Sequence, residues 1–310
     1  MMIAPGFVGI DVSKEHLDVF DAASGTQWRI ANTPAALAEL AHDWAQRDAF
    51  VLFEATGWYD LDLRQTLTMA GVRFARVNPA RARDFARAAG FLAKTDAVDA
   101  QMLAAMAQCL QLPPAEAASA ARERLACLNK RRDQLVANRQ QERTRKRECP
   151  DPLWRQSIAA HLAWLDAAIE AIQAQIAAAI AQQPDLEGDR RLLASVPGVG
   201  PVTAATLLAL MPELGRRSPQ QLAALAGLAP YNNDSGTRRG QRSIRGGRKR
   251  VRDALYVAAF IAARHAPRFK AFFQTLTAAG KPRKLALIAV ARKLLTVLNA
   301  ILRDRQPFHA

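Results

Sequence analysis

The chain has 310 residues, a net charge of +15 and a pI near 10.6, so it has room for two or more domains and calls for a polyanionic partner, nucleic acid or a membrane surface. No apolar run reaches the ~18–20 residues of a membrane span, and the N-terminus lacks the basic, apolar, small-residue order of a secretory signal, so a cytoplasmic, nucleoid-associated protein without a membrane partner is expected. Cys109, Cys127 and Cys149 are odd in number, widely spaced and without a Cys-x-x-Cys pair, which excludes a disulfide framework and a zinc ribbon.

Phe7-Val8-Gly9-Ile10-Asp11 reads as a buried strand that ends on a carboxylate. His16–Phe20 alternates and predicts a second strand, and Thr26–Ala31 a third after the Ser24-Gly25 turn. Thr33-Pro34 opens a helix, with Thr33 as N-cap and Leu37, Leu40, Ala41 and Trp44 as its apolar face. Phe50–Glu54 repeats the design of the first strand and ends on a second carboxylate. A helix over about Asp60–Ala70, a strand over Val72–Val77 and a basic helix from Asn78-Pro79 follow. That helix carries Arg81, Arg83 and Arg87, which read either as phosphate contacts or as a solvated face. Three meandering strands followed by helix, strand, helix and strand make an α/β plan with a mixed sheet.

Asp96–Cys109 predicts a further helix, with Met102, Leu103, Met106 and Leu110 as its apolar side. Asp96 and Asp99 stand three residues apart, so both leave one face of its first turn. Carboxylates there also complement the helix dipole, which is the plain alternative to a functional role.

Leu112-Pro113-Pro114 breaks the chain. A long polar helix over about Ala117–Glu148 and the Pro150-Asp151-Pro152 turn lead to a helix with Ile158, Leu162, Leu165, Ile169, Ile172 and Ile176 at heptad spacing. The pair predicts an antiparallel coiled-coil hairpin whose first helix has a weaker seam, interrupted by Arg132 and Arg139. Those two face either a partner or a nucleic-acid backbone, or else form a solvated charged face. The composition shifts again near Asp185, giving three expected domains: 1–112, 113–184 and 185–310.

Leu192–Glu213 predicts two short helices about a Pro-Gly-Val-Gly-Pro turn, a helix–hairpin–helix whose glycines let amides approach a phosphate. Its alternative is an ordinary helix–turn–helix packing unit. A short helix over Gln220–Leu228 precedes a loop with Ser235 and Ser243. Eight basic residues lie between Arg238 and Arg252 with no acid among them: Arg238, Arg239, Arg242, Arg245, Arg248, Lys249, Arg250 and Arg252. Asp253–Arg264 and Lys284–Leu302 read as the last helices.

Four carboxylates without His or Cys suit hard divalent ions such as Mg²⁺ or Mn²⁺. Two such ions stabilise the attacking and leaving oxygens of an in-line phosphoryl displacement. The layout of Asp11, Glu54, Asp96 and Asp99 about a mixed sheet is that of an RNase H-like nuclease or transposase core. By itself the Asp-Ser-Gly of Ser235 reads as a turn, although arginines on a phosphate could make such a serine a nucleophile, with Ser243 as the competing hydroxyl.

Taken together, Gly-Ile-Asp11-Val-Ser-Lys, Phe-Glu54-Ala-Thr-Gly, Lys94-Thr-Asp96-Ala-Val-Asp99-Ala, Pro-Gly-Val-Gly-Pro and Gly-Leu-Ala-Pro-x4-Ser235-Gly resemble the insertion sequence 110 family of transposases over nearly the whole chain. The resemblance implies a RuvC-like domain, a coiled coil and a C-terminal transposase domain. It implies a DNA recombinase guided by a structured bridge RNA that pairs with target and donor DNA. It further implies Asp11, Glu54, Asp96 and Asp99 as Mg²⁺ ligands and Ser235 as a nucleophile forming a transient 5′-phosphoserine link. A dimer-to-tetramer assembly, with the acids of one subunit meeting the serine of another, is also implied. The competing readings are a metal-dependent structure-selective nuclease without a covalent intermediate, and a non-catalytic nucleic-acid-binding protein.

Overall fold

A computed structural model describes residues 2–4, 6–91, 95–115, 119–232, 234–236, 240 and 242–309. The chain divides into two compact units, Met1–Ala117 and Ala118–Ala310.

In the first unit the strands are β1 (Phe7–Val12), β2 (His16–Asp21), β3 (Thr26–Ala31), β4 (Phe50–Glu54) and β5 (Arg73–Val77). They form a five-stranded sheet in the order β3-β2-β1-β4-β5. The β1–β2 and β2–β3 pairs are antiparallel, whereas β1–β4 and β4–β5 are parallel. This mixed sheet is consistent with an RNase H-like domain. Strand pleating sends alternate side chains to opposite faces. Val8, Ile10, Val51 and Phe53 go to one face and meet Leu37 and Trp44 of α1 (Pro34–Gln46) and Leu63 of α2 (Leu61–Met69). Phe50, Leu52, Ala75 and Val77 go to the other. There they meet Ala82 of α3 (Pro79–Ala88) and Leu103 and Met106 of α4 (Asp96–Leu110).

Caps account for where these helices start. Thr33, Asn78 and Thr95 each accept a hydrogen bond from a first-turn amide, of Ala36, Ala80 and Val98 respectively. Leu110 departs from its expected place on the apolar side of α4 and is exposed, because the helix ends there in a left-handed residue, Gln111.

In the second unit, α5 (Ala120–Glu148) and α6 (Pro152–Ala181) form a helical hairpin. Leu135, Leu165 and Ile169 are buried between them. Arg139 of α5 donates to Asp166 of α6 at 2.8 Å, so that arginine joins the two helices. Farther along, Leu125 and Ile176 enter the main core with the remaining helices. These are α7 (Pro184–Ala194), α8 (Pro201–Leu210), α9 (Pro219–Leu225), α10 (Lys249–His265), α11 (Pro267–Ala278) and α12 (Arg283–Asp304).

One helix, α12, comes near a membrane span by length and hydropathy, although Arg292 and Lys293 interrupt its apolar run. Its 22 residues include an 18-residue window of mean hydropathy 1.9, and among the described residues it is the one helix meeting that test. It is a core helix here: Val290, Leu294 and Leu298 are fully buried in the unit, against α10 among others. Gly198, in the turn between α7 and α8, has φ +94°, and a methyl group built on it would lie 2.5 Å from the Ala258 carbonyl oxygen of α10. That glycine is required by close packing against α10; Gly200, at the N-cap of α8, has open space beside it.

Candidate active site

The first unit gathers charge along one rank of its sheet. In the antiparallel register Arg29 of β3 faces Asp18 of β2, and Asp18 faces Asp11 of β1. In the parallel register Ile10 faces Phe53, so one step further Asp11 stands beside Glu54, the last residue of β4. Four adjacent strands thus present Arg, Asp, Asp and Glu side by side. Opposed residues share a face, and the parity places this rank on the face that carries α4.

Gly9 explains how α4 comes so close. A methyl group at Gly9 would lie 2.5 Å from Ala104 N and nearer still to the Ala100 carbonyl oxygen. Only glycine admits the helix backbone at that distance. From Gly9 to Asp11 the strand advances about 6.8 Å. From Ala100 back to Asp96 the helix retreats about 6 Å. The close approach at Gly9 therefore sets the first turn of α4, with Asp96 and Asp99, at the level of Asp11.

The electrostatics agree. The Asp11 carboxyl is raised from an ordinary 3.8 to about 6, first by burial and then by the negative charges of Asp99, Asp96 and Asp18. Arg29 answers part of that charge. Its Nε and one Nη hydrogen-bond the two Asp18 oxygens at 3.0 Å each, and the same Nη donates to Asp96 at 2.8 Å. The Asp18 side chain is 12% exposed and that of Asp96 64%. The strand exits are tied as well, since Asn32 Nδ2 donates to the Ser13 carbonyl at 2.9 Å and the Tyr59 carbonyl at 2.7 Å.

The chemistry of these oxygen donors suits a hard divalent cation: a half-buried carboxylate with three others near it, and a guanidinium bonded to two of those. Among the described residues no three carboxylates close on a single point as a formed metal site. Sequence reasoning missed Asp18 and Arg29. The signal was present in the alternation of His-Leu-Asp18-Val-Phe and Gln-Trp-Arg29-Ile, which puts both on the Asp11 face once three antiparallel strands are paired.

Arg81, Arg83 and Arg87 are exposed on α3, with Arg83 Nε donating back to the Pro79 carbonyl at 3.2 Å.

The second unit holds the serine loop. Pro230–Tyr231 (β6) pairs antiparallel with Ser243–Ile244 (β7), closing a loop on which Ser235 is exposed. Asp234 Oδ1 accepts from the Gly240 amide at 3.0 Å. Arg238 and Arg239 lie outside the described residues. The remaining predicted basic residues divide by their partners. Arg242 is exposed, and Arg245 lies over the Tyr231 ring, 5.2 Å from its centre. Lys249 pairs with Asp253 at 2.6 Å, and Arg250 pairs with Asp133 of α5.

Arg248 makes a two-pronged pair with Glu213, at 2.7 and 2.6 Å, and donates to the Leu210 carbonyl at 2.8 Å. Burial pushes the Glu213 carboxyl up, but hydrogen bonds and charge from Arg248 outweigh it and leave it below its ordinary value. Nearby, a methyl group on Gly247 would lie 2.5 Å from Gly227 Cα and 2.8 Å from the Leu225 carbonyl oxygen. The loop is therefore rooted where two glycine backbones cross, beside the Arg248–Glu213 pair.

The sheet order with its carboxylate rank is that of a mixed α/β domain consistent with the RNase H-like class. Residues 8–150 match a family model described as a transposase, the DEDD transposase of IS110 elements, and residues 190–274 match the model described as Transposase IS116/IS110/IS902 family. The pilin gene-inverting protein of Moraxella bovis is 30% identical over 97% of each chain, and that of Moraxella lacunata matches to the same extent. The 43.6 kDa protein of insertion element IS110 from Streptomyces coelicolor is 35% identical over 48% of this chain and 36% of its own. The chain belongs to the IS110 family of transposases, and it is a DNA recombinase/transposase enzyme. The DEDD assignment suggests dependence on a divalent metal.

Proposed function

We propose that this transposase cuts and rejoins DNA with Ser235 as nucleophile, Asp11, Glu54, Asp96 and Asp99 as holders of Mg²⁺ or Mn²⁺, and a structured bridge RNA that selects target and donor DNA. The observation that carries the reading is the rank of Asp18, Asp11 and Glu54 with the first turn of α4 set over it by Gly9. A protein that only bound nucleic acid would have no reason to bury and crowd carboxylates beside a polyanion. When bound, the metal would supply positive charge for the phosphate oxygens of the scissile bond.

In the first step Ser235 Oγ forms a bond to phosphorus while the bond from phosphorus to the 3′ oxygen breaks. The serine proton ends on that oxygen as a free 3′-hydroxyl, and the 5′ phosphate stays on the serine. Attack on the phosphoserine by another 3′-hydroxyl restores the diester and frees Ser235, so no outside energy source is needed. Exposure of Ser235 supports access to DNA, and exposed Arg242 and Arg245 support phosphate binding on its loop. Arg250 and Arg248 act inside the protein, through Asp133 and Glu213, and support the loop by holding its root.

Arg81, Arg83 and Arg87 on α3 support contact with an RNA or DNA backbone, where charge gives affinity and base pairing gives sequence. The hairpin of α5 and α6 is assigned as a coiled coil. Trp154 and Trp164, both largely exposed on α6, support its use in forming a dimer and then a tetramer. In that assembly the acids of one subunit serve the serine of another, and the parts act as 1–112, 113–184 and 185–310. The α7–α8 turn is assigned as a helix–hairpin–helix, with the open N-terminus of α8 at Gly200 as its phosphate contact.

The test is an incubation of the protein with its flanking-sequence RNA, labelled target and donor DNA and Mg²⁺, resolved on a denaturing gel. A protein-linked DNA band that requires RNA, metal and Ser235 is expected. Cleavage products without an adduct would replace the reading with a metal-dependent nuclease.

A further inference from the structure

We infer that Arg29 is a positioning residue that occupies the cation's place on Asp96 until metal arrives. The inference rests on the carboxylates proposed above as metal holders.

Arg29 has two unequal partners. Arg29 is bound two-pronged to Asp18, a carboxylate sunk in the sheet and directly opposite Asp11. Two parallel bonds of this kind fix the guanidinium plane as well as its charge. Asp18 is thereby committed to Arg29, although it lies on the same rank as Asp11. The bond from Arg29 to Asp96 is of a different kind. It is a single bond to an exposed carboxylate on the first turn of α4, and it spans two elements 67 residues apart.

Arg29 therefore has a permanent anchor and a releasable contact. Without metal, the releasable contact draws Asp96 toward β3 and offsets the repulsion between the helix acids and Asp11. A divalent ion that takes Asp96 must displace Arg29 from it. Asp18 keeps the guanidinium at the rim, where it remains available to an anion of the substrate.

The experiment compares the full-length wild-type chain with R29M and R29K, in the absence of nucleic acid. Methionine keeps much of the side-chain length without the charge. Lysine keeps the charge but cannot fork onto Asp18 while reaching Asp96. Two quantities are read: the Mn²⁺ dissociation constant by electron paramagnetic resonance, and the melting temperature with and without saturating Mn²⁺. If Arg29 holds the cation's place, R29M binds Mn²⁺ several-fold more tightly and R29K falls between it and wild type. The melting temperature of R29M then drops without metal and recovers with it, because the ion replaces the lost contact.

Unchanged or weaker Mn²⁺ binding in R29M, or a melting deficit that metal leaves in place, would overturn the inference. The Ser235 adduct assay separates the two claims. Loss of the adduct in every condition with tighter Mn²⁺ binding in R29M would refute the serine mechanism and leave the role of Arg29 standing.

Discussion

Replacing Gly9 with alanine tests whether the contact between β1 and α4 is what sets the active site. The added methyl would lie 2.5 Å from Ala104 N, whereas ordinary contact begins near 3.4 Å. The atoms in the way are backbone, so no rotamer change relieves the clash, and α4 must withdraw by about 1 Å. Overpacking of this kind costs about 1–3 kcal/mol. The larger consequence is geometric, because Asp96 and Asp99 travel with the helix. A 1 Å misplacement of reacting groups costs roughly 10²-fold in rate.

G9A is thus expected to remain folded with a lowered melting temperature, and to lose about two orders of magnitude in DNA strand exchange well below that temperature. The assay is strand exchange on labelled DNA, run beside a thermal melt. Wild-type exchange with an unchanged melt would refute the reasoning. Activity that falls only in proportion to unfolding would assign Gly9 to stability alone.

Three further outcomes follow from the same geometry. Asp11 holds its proton up to about pH 6 in the folded protein against an ordinary 3.8. Its contribution to stability therefore falls as pH rises through that interval, and D11N should raise the metal-free melting temperature at pH 7.5 with the gain vanishing toward pH 4. A pH-independent effect would contradict this. E213Q weakens the grip on Arg248 and should cost about 1–3 kcal/mol in a denaturant titration, with no loss of Mn²⁺ binding by the first unit. G247A, at φ +67° and against Gly227, should slow adduct formation at Ser235 while leaving Mn²⁺ affinity at its wild-type value.

Much of the first unit was legible because its local signals agree with one another. The strand Thr26–Ala31 and the helix starts at Thr33 and Asn78 emerged as expected, since alternation and caps are local properties. The convergence of Asp11 with Asp96 and Asp99 depends on a long-range approach, and the sequence carried a trace of it in Gly9, a small residue inside an otherwise bulky strand. Asp18 and Arg29 were missed because their roles exist only once three strands are in register. The second unit was harder. Helix α11 was not anticipated, being a short amphipathic segment between two more apolar ones. The basic run after Ser235 read as one uniform patch. Its division into loop residues, such as Arg245, and root residues, such as Arg248 and Arg250, depends on Glu213 and Asp133, which lie 35 and 117 residues away in sequence.

A covalent link between Ser235 and DNA separates serine-mediated strand exchange from hydrolysis by water. Wild-type protein, D11N and S235A would be incubated with flanking-sequence RNA, end-labelled donor and target DNA and Mg²⁺, then denatured and digested with protease. A labelled peptide containing phosphorylated Ser235 is expected from the wild-type chain and none from either variant. A labelled peptide that persists in S235A, or DNA cut to completion with no peptide attached, would contradict the serine mechanism.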